Sequence, residues 1–290
     1  QVTLVQTTTE DFKKGSGKDV VIADGNITLA TKTNNLNSWV STNNLPQNLA
    51  MHRIAVWNNF AYMLGRNNKK KKKKKVYRAS FQAEGTSGWT ELADFPNPIK
   101  SHTLVVGISK LYVLGGLVNG EPVADIYSAT INPDGSLGVW ELNPVSLPEP
   151  LWGHTAQFVN GYIYLVGGAD SSVVSTASNK VWYCNVNPLG ELSAFTQTEN
   201  LPITIINHTM ENYYGEIFIL GGENSSGNKL NTVYYTQTNN DGTIAPWQQA
   251  TNLPLTVSKH GSTCSNGIIT VIAGETEEAV PLSRKVYFAD

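Results

Sequence analysis

Arginine, methionine and cysteine are scarce in this sequence. Four arginines (Arg53, Arg66, Arg78 and Arg284), three methionines and two cysteines serve 290 residues. The cysteines, Cys184 and Cys264, read as two buried thiols rather than a disulfide, so they say little about redox compartment. No run of eighteen apolar residues occurs, which excludes a membrane-spanning helix. No stretch shows helical periodicity. There is no Gly-x-Ser-x-Gly, no His-Glu-x-x-His, no phosphate loop and no calcium-loop pattern, and with them go the common signatures of hydrolases, zinc peptidases and nucleotide enzymes. No cofactor is expected. Only 15% of residues are charged, against 40% hydrophobic. Thr, Asn, Ser and Gly carry much of the polarity, a mix common in secreted all-β proteins. The chain starts at Gln1-Val2-Thr3 with neither an initiator Met nor a signal peptide, which reads equally as a mature secreted chain or as a trimmed start. The expected location is extracellular or cell-surface.

The formal charge of -2 hides an asymmetry. Seven consecutive lysines, Lys69 to Lys75, belong to the 21 basic residues; removing them leaves 14 against 23 acidic ones, a balance of -9. The body of the protein is therefore acidic, which argues against a nucleic-acid partner. The lysine run replaces a loop of ordinary length, and seven like charges stay solvated. It reads as a mobile loop or a placeholder stretch, with an anionic-polymer contact as the functional alternative.

What the chain does have is a repeat. Its five histidines, His52, His102, His154, His208 and His260, are spaced by 50, 52, 54 and 52 residues. Six residues before each stands a proline (Pro46, Pro96, Pro148, Pro202, Pro254), preceded by Leu or Phe. Six or seven residues before those apolar positions comes an aromatic: Trp39, Trp89, Trp140, Phe195 or Trp247. After the histidines come the glycine pairs Gly115-Gly116, Gly167-Gly168 and Gly221-Gly222, with degenerate outer copies Gly65-Arg66 and Ala273-Gly274. Then follow Val76-Tyr77, Ile126-Tyr127, Val181-Trp182, Val233-Tyr234 and Val286-Tyr287. Segments such as Tyr162 to Val166 are apolar, β-branched and aromatic, and turn residues bound them, so they are strands. Four strands per copy at this period predict an all-β propeller blade.

This pattern resembles the kelch repeat, most closely its bacterial form, over residues 38 to 290. The resemblance implies a kelch-type β-propeller whose His strand is innermost, followed by the Gly-Gly strand, the Tyr strand and the outer Trp strand. The basic residue that many kelch repeats place before the His strand is mostly absent, Lys100 and Lys259 coming near it. The last copy lacks a Trp strand after Tyr287, so Trp39 is able to close a ring of five. Against that, Val2 to Thr7, Asp19 to Ala23 and Asn26 to Ala30 are three strand candidates, the last two forming a hairpin around Asp24-Gly25. Residues 1–37 then form a degenerate first blade or closure strands, in one propeller domain with 38–290. The count favours six blades over five.

Metal binding by the histidines is the eye-catching reading and the weaker one. One histidine per copy, in register, has the same local role in each blade, and equivalent positions sit farther apart than the roughly 2 Å bonds of a shared ion allow. No metal is expected, and no catalytic residue is assigned. Any site belongs in loops. In a propeller the loops before the His strand and after the Gly-Gly strand share one face, which brings Trp152, Lys100, Lys259 and Asn207 together with Asp170, Glu223 and Glu275. Trp152 lies outside the repeat pattern, as a packing plug or a stacking platform. The expected function is non-catalytic: recognition of protein or glycan through that face, or a place in a homo- or hetero-assembly. The alternative is a carbohydrate-active enzyme of mutarotase, epimerase or lyase type with an axial site. Three sequons begin at Asn26, Asn207 and Asn224.

Overall fold

In the computed structural model, residues 18–23, 26–31, 44–46, 49–67, 74–82, 85–277 and 282–289 are described. The chain divides into two compact units, Gln1–Thr42 and Asn43–Asp290. In the first, β1 (Lys18–Ala23) and β2 (Asn26–Thr31) form the expected antiparallel hairpin, with Ala23 opposite Asn26 and Lys18 opposite Thr31. Val2 to Thr7 and Trp39 lie outside the described residues. Lys69 to Lys73 lie outside them too; Lys75 pairs with Asp94 at 2.8 Å and with Glu91.

The second unit is a succession of antiparallel sheets, one per sequence repeat. The first sheet runs β3 (Leu49–Trp57), β4 (Phe60–Asn67), β5 (Val76–Gln82), with β6 (Gly85–Thr86) and β7 (Thr90–Glu91) both on the far edge of β5. In the second, β9 (Thr103–Val106), β10 (Lys110–Leu114), β13 (Ile126–Thr130) and β14 (Glu141–Leu142) pair in chain order. Here the loops add a small sheet that the sequence pattern did not suggest, made of β8 (Ile99–Lys100), β11 (Leu117–Val118) and β12 (Glu121–Pro122). The third sheet is β15 (Thr155–Val159), β16 (Tyr162–Val166), β17 (Val181–Asn185) and β18 (Thr196–Gln197). The fourth is β19 (Thr209–Tyr213), β20 (Glu216–Leu220), β21 (Val233–Gln237) and β22 (Gln248–Gln249). The fifth has three strands, β23 (Gly261–Ser265), β24 (Ile268–Glu275) and β25 (Leu282–Ala289), with no described partner outside β25.

The first strands of successive sheets lie side by side, β3 by β9, β9 by β15, β15 by β19 and β19 by β23. The hydrophobic cores sit between consecutive sheets. Tyr62 and Leu64 of the first sheet pack on Leu104, Leu111 and Val113 of the second, and Val105, Tyr112 and Leu114 of the second on Ala156, Ile163 and Leu165 of the third. Both faces of each inner sheet are thus buried, which is why the second strands read as near-continuous apolar runs rather than as alternation. The fold is all-β and propeller-like.

Hydrogen bonds run from sheet to sheet as well. Tyr62 donates its hydroxyl to Gly135 O at 2.8 Å, and Tyr112 to Gly190 O at 2.6 Å, so a tyrosine of one sheet reaches the Asn-to-Gly turn of the next. In those turns Gly135, Gly190 and Gly242 adopt φ of 78°, 74° and 89°, and each donates its N–H back to Asn132, Asn187 or Asn239. The glycine pairs also join sheets. Gly116, Gly168 and Gly222 donate to Leu151 O, Ile205 O and Val257 O of the following copy. A Cβ at any of the three would lie 2.8 Å from the Cβ of the histidine in its own sheet.

Gly161 (φ 89°) separates conformation from crowding, because a Cβ there meets nothing within 4 Å, whereas Gly168 (φ 95°) faces His154. Gly161→Ala is expected to cost about 1 kcal/mol of backbone strain, and Gly168→Ala about 3 kcal/mol or more, because the chain must also move off His154. Urea unfolding of the two variants measures the difference; equal costs would remove the packing role of the pair.

Candidate functional site

The repeated histidines sit where the chain enters each inner strand. His102, His154, His208 and His260 immediately precede β9, β15, β19 and β23, and His52 lies inside the longer β3. The residue before each of the four has a positive φ: Ser101 53°, Gly153 65°, Asn207 56°, Lys259 52°. This left-handed step turns the chain and lets these residues bond one to the next across sheets. Gly153 N–H donates to Ser101 O, Asn207 N–H to Gly153 O and Lys259 N–H to Asn207 O, at 3.0, 2.8 and 2.9 Å.

The imidazoles of His154 and His208 are wedged between two glycine pairs: each Cβ stands over the second glycine of its own sheet, and each ring approaches the first glycine of the preceding sheet, as the His260 ring approaches Gly221. A Cβ on Gly115 would lie 2.9 Å from His154 Cε1, and one on Gly221 2.9 Å from His260 Cε1. His208 Nε2 hydrogen-bonds Thr155 Oγ1 at 2.7 Å, and His260 Nε2 bonds Thr209 Oγ1 at 2.8 Å. His102, His154, His208 and His260 are buried. Burial out of water lowers their pKa to about 3 for the first three and about 4 for His260, and the positive charge of Arg53 adds to the effect at His102, His154 and His208. They are neutral at ordinary pH and packed within the fold. Among the described residues no three His, Cys, Asp or Glu side chains gather as metal ligands.

The loop residues singled out by sequence lie next to this seam. The bridges Trp152–Ala169, Ile206–Glu223 and Ser258–Glu275 join the loop before the histidine to the segment after the glycine pair in three successive copies. Lys259 Nζ is 2.8 Å from Glu275 Oε2 and 3.8 Å from Glu223 Oε1, and Asn207 Nδ2 donates to Glu223 Oε1 at 3.4 Å. Four of the candidates therefore form one polar cluster. Glu223 is its buried member, Glu275 is half-buried and Lys259 is exposed. Glu275 belongs to the end of β24 rather than to a loop. A solvent-accessible pair such as Lys259–Glu275 contributes about 0–1 kcal/mol to stability.

Trp152 is half-buried. Its Nε1 donates to Ser171 O at 2.6 Å, and its ring packs on a small cluster of Ala169, Ala177 and Ile206, with Val174 from a turn of 3₁₀ helix at Val174–Thr176. Asp170, between Ala169 and Ser171, is exposed. Lys100 pairs through its backbone with Leu117, and no ion pair to it occurs among the described residues. Cys184 is buried and Cys264 half-buried, both as free thiols, and burial pushes the Cys184 thiol up to about 12. Sequence reading overlooked one group: Glu211 on β19 accepts from Ser262 Oγ at 2.5 Å, and burial raises its carboxyl above the usual range. Its place on an inner strand two residues past Thr209 was the available signal.

No protein-family model matches the chain, and no curated protein matches it. Among solved structures, the one titled "Structure of YjhT" superposes with a TM-score of 0.65 at 17% sequence identity, covering 79% of this chain and 73% of that one. At this identity the likeness is one of fold. No helix among the described residues is long and apolar enough to cross a membrane.

The neutral imidazoles predict an acid limit. Their folded pKa values lie below the ordinary 6.5, so both states are neutral above about pH 7 and stability there does not depend on them. As pH falls through 6.5 the unfolded chain takes up protons that the folded chain refuses, and stability drops until pH reaches about 4 for His260 and about 3 for the other three. Four such groups give a slope of up to about 5 kcal/mol per pH unit between pH 6 and 5, with Glu211 opposing weakly. Urea unfolding at pH 7, 6 and 5 checks this; a flat profile would show the rings to be protonated in the fold.

Proposed function

We propose that this chain is a non-catalytic recognition or assembly module, exported or displayed on a surface, that binds protein or glycan through the face carrying Trp152, Lys259, Asn207, Glu223 and Glu275. The observation that carries the reading is the gathering of residues outside the repeat at one end of the inner strands. There a lysine is flanked by two carboxylates and an amide, and an indole stands in the neighbouring copy. Polar groups that fix orientation beside an aromatic surface are what a sugar or peptide site requires. The kelch-type register of His, Gly-Gly, Tyr and Trp supports a ring architecture, in which such loops face the axial mouth. The Thr- and Asn-rich composition supports the exported setting. The four deeply buried histidines are spent on packing, so they are not free to act as acid or base on that face.

One observation favours a second reading, a carbohydrate-active enzyme. Glu223 is buried beside Lys259 and Glu275, and a buried carboxylate next to a more accessible one is an arrangement that acid–base chemistry on sugars uses.

Binding to a panel of glycans, with turnover of the same sugars followed by NMR, separates the two. The module reading expects a defined set of hits that Lys259→Ala and Trp152→Ala weaken by about 10- to 100-fold, the usual range for an anchor residue, with no turnover. Lys259→Ala should melt as the wild type does, since it is exposed. Turnover abolished by Glu223→Gln would replace this reading with the enzyme.

A further inference from the structure

The repeated aromatic that precedes each fourth strand packs into the seam between its own sheet and the one before. Trp140, next to β14, meets Phe95 edge-on with ring centroids 5.2 Å apart, in one cluster with Tyr62, Leu64, Val76, Leu111 and Val113. Phe195 joins Leu147 and Trp247 joins Leu201 in the two following seams. Between the fourth and fifth sheets no ring from that repeat position occurs among the described residues, because the fifth sheet has no described fourth strand. A cavity of about 610 Å³ lies there. Phe218, Leu220, Val233, Leu253, Ile269 and Val271 line it, and they hold the repeat positions of Tyr62, Leu64, Val76, Phe95, Leu111 and Val113. The wall that encloses Trp140 is thus built a second time around the cavity.

An edge and a rim adjoin this cavity. In the second and fourth sheets the fourth strand pairs with Tyr127 or Tyr234 of the third. The equivalent residue, Tyr287 of β25, lines the cavity, and no strand pairs with the outer edge of β25 among the described residues. An edge of this kind is a template for pairing with another chain. The rim is Tyr213, which also lines the cavity, and Tyr214, their ring centroids 4.5 Å apart. Tyr214 is 87% exposed and has φ 48°. The same turn position holds Asn58, Asn160 and Asn266 in the first, third and fifth sheets, at φ 48°, 50° and 51°. Asparagine tolerates this left-handed step and tyrosine does not, so the exposed tyrosine keeps a strain that core packing does not offset. Strain held in this way gathers at binding sites.

We propose that the groove between the fourth and fifth sheets is a docking site for an extended, aromatic-bearing segment of a partner protein. The segment pairs antiparallel with β25, seats one large ring against Leu253 and Val233, and contacts Tyr213 and Tyr214 with its flanking residues. The ring class follows from Trp140 and Trp247, which the same lining holds in two other seams. A strand that only completes a sheet, as β14 and β22 do, needs the ring slot alone. The tyrosine rim is surface beyond that need, and it points to a separate molecule. The cavity also falls in the range of ligand pockets, about 300–1,000 Å³. Neither Trp152 nor Lys259 lines it, so the site stands apart from the face that carries them.

The probe is a fluorescein-labelled peptide with the sequence of residues 136–145, Ser-Leu-Gly-Val-Trp-Glu-Leu-Asn-Pro-Val, which carries the chain's own Trp140 strand. Fluorescence anisotropy on the full chain reads its binding, and hydrogen exchange reads its place. The expected result is saturable binding that slows exchange of the β25 amides. Replacing the peptide's Trp by Ala should weaken it at least tenfold, as for an anchor residue. Tyr214→Asn in the protein should weaken it at least threefold while melting no lower, since the variant restores the residue that three sister turns carry. No saturation up to about 1 mM peptide overturns the proposal. So does binding that leaves β25 exchange unchanged, or that ignores both the Trp→Ala peptide and Tyr214→Asn. Binding seen in a Trp39→Ala variant and not in the wild type overturns it too, because the chain's own Trp39 is then the occupant.

Discussion

The contact of an imidazole with two glycine pairs is the constraint on which the rest of this structure depends. In the second, third and fourth sheets the pair ends the second strand with two residues at positive φ, and there the chain of the next copy comes within van der Waals distance of the backbone. Only glycine leaves that space. The histidine fills it, the Pro-containing loop before it supplies the carbonyl that receives the second glycine's N–H, and the tyrosines of the second strands tie the outer turns. Sequence, local backbone and packing thus state one rule in the second, third and fourth copies. The fifth copy bends it in an instructive way. Ala273 takes the first-glycine position at φ 57°, and it is exposed.

This use of histidine decides much about function. A residue that titrates near neutrality is the usual choice for acid–base catalysis, and four of the five in this chain are held neutral in a dry seam. What remains at the same end of the inner strands is chemistry of another kind: a carboxylate–lysine–carboxylate cluster and an indole fixed by its N–H to Ser171. These suit recognition by charge and shape.

The all-β fold and the order of strands within each copy were legible in the sequence because the repeat multiplies a weak signal. One Tyr-Ile-Tyr-Leu-Val segment is ambiguous, but five in register with turns are not. The polar cluster was legible for the same reason, since repeat position told that Lys259, Glu223 and Glu275 share a face. The sheet of β8, β11 and β12 was not, because it rests on two-residue strands with no pattern of their own. The seating of Trp152 was not either, since its partners Ser171 and Val174 lie in a loop peculiar to that copy.

If inter-sheet packing through the glycine–histidine seam makes the second unit one cooperative body, the sheets do not open separately. Native-state hydrogen exchange in increasing denaturant tests that claim most directly. The account predicts that the seam amides of Gly116, Gly168, Gly222, Asn207 and Lys259 converge on the same opening free energy as the amides of Tyr112 and Tyr164 within the sheets. Seam amides that exchange through a low-energy opening while the strand amides stay protected would contradict it, and would make the sheets, not the seam, the source of stability.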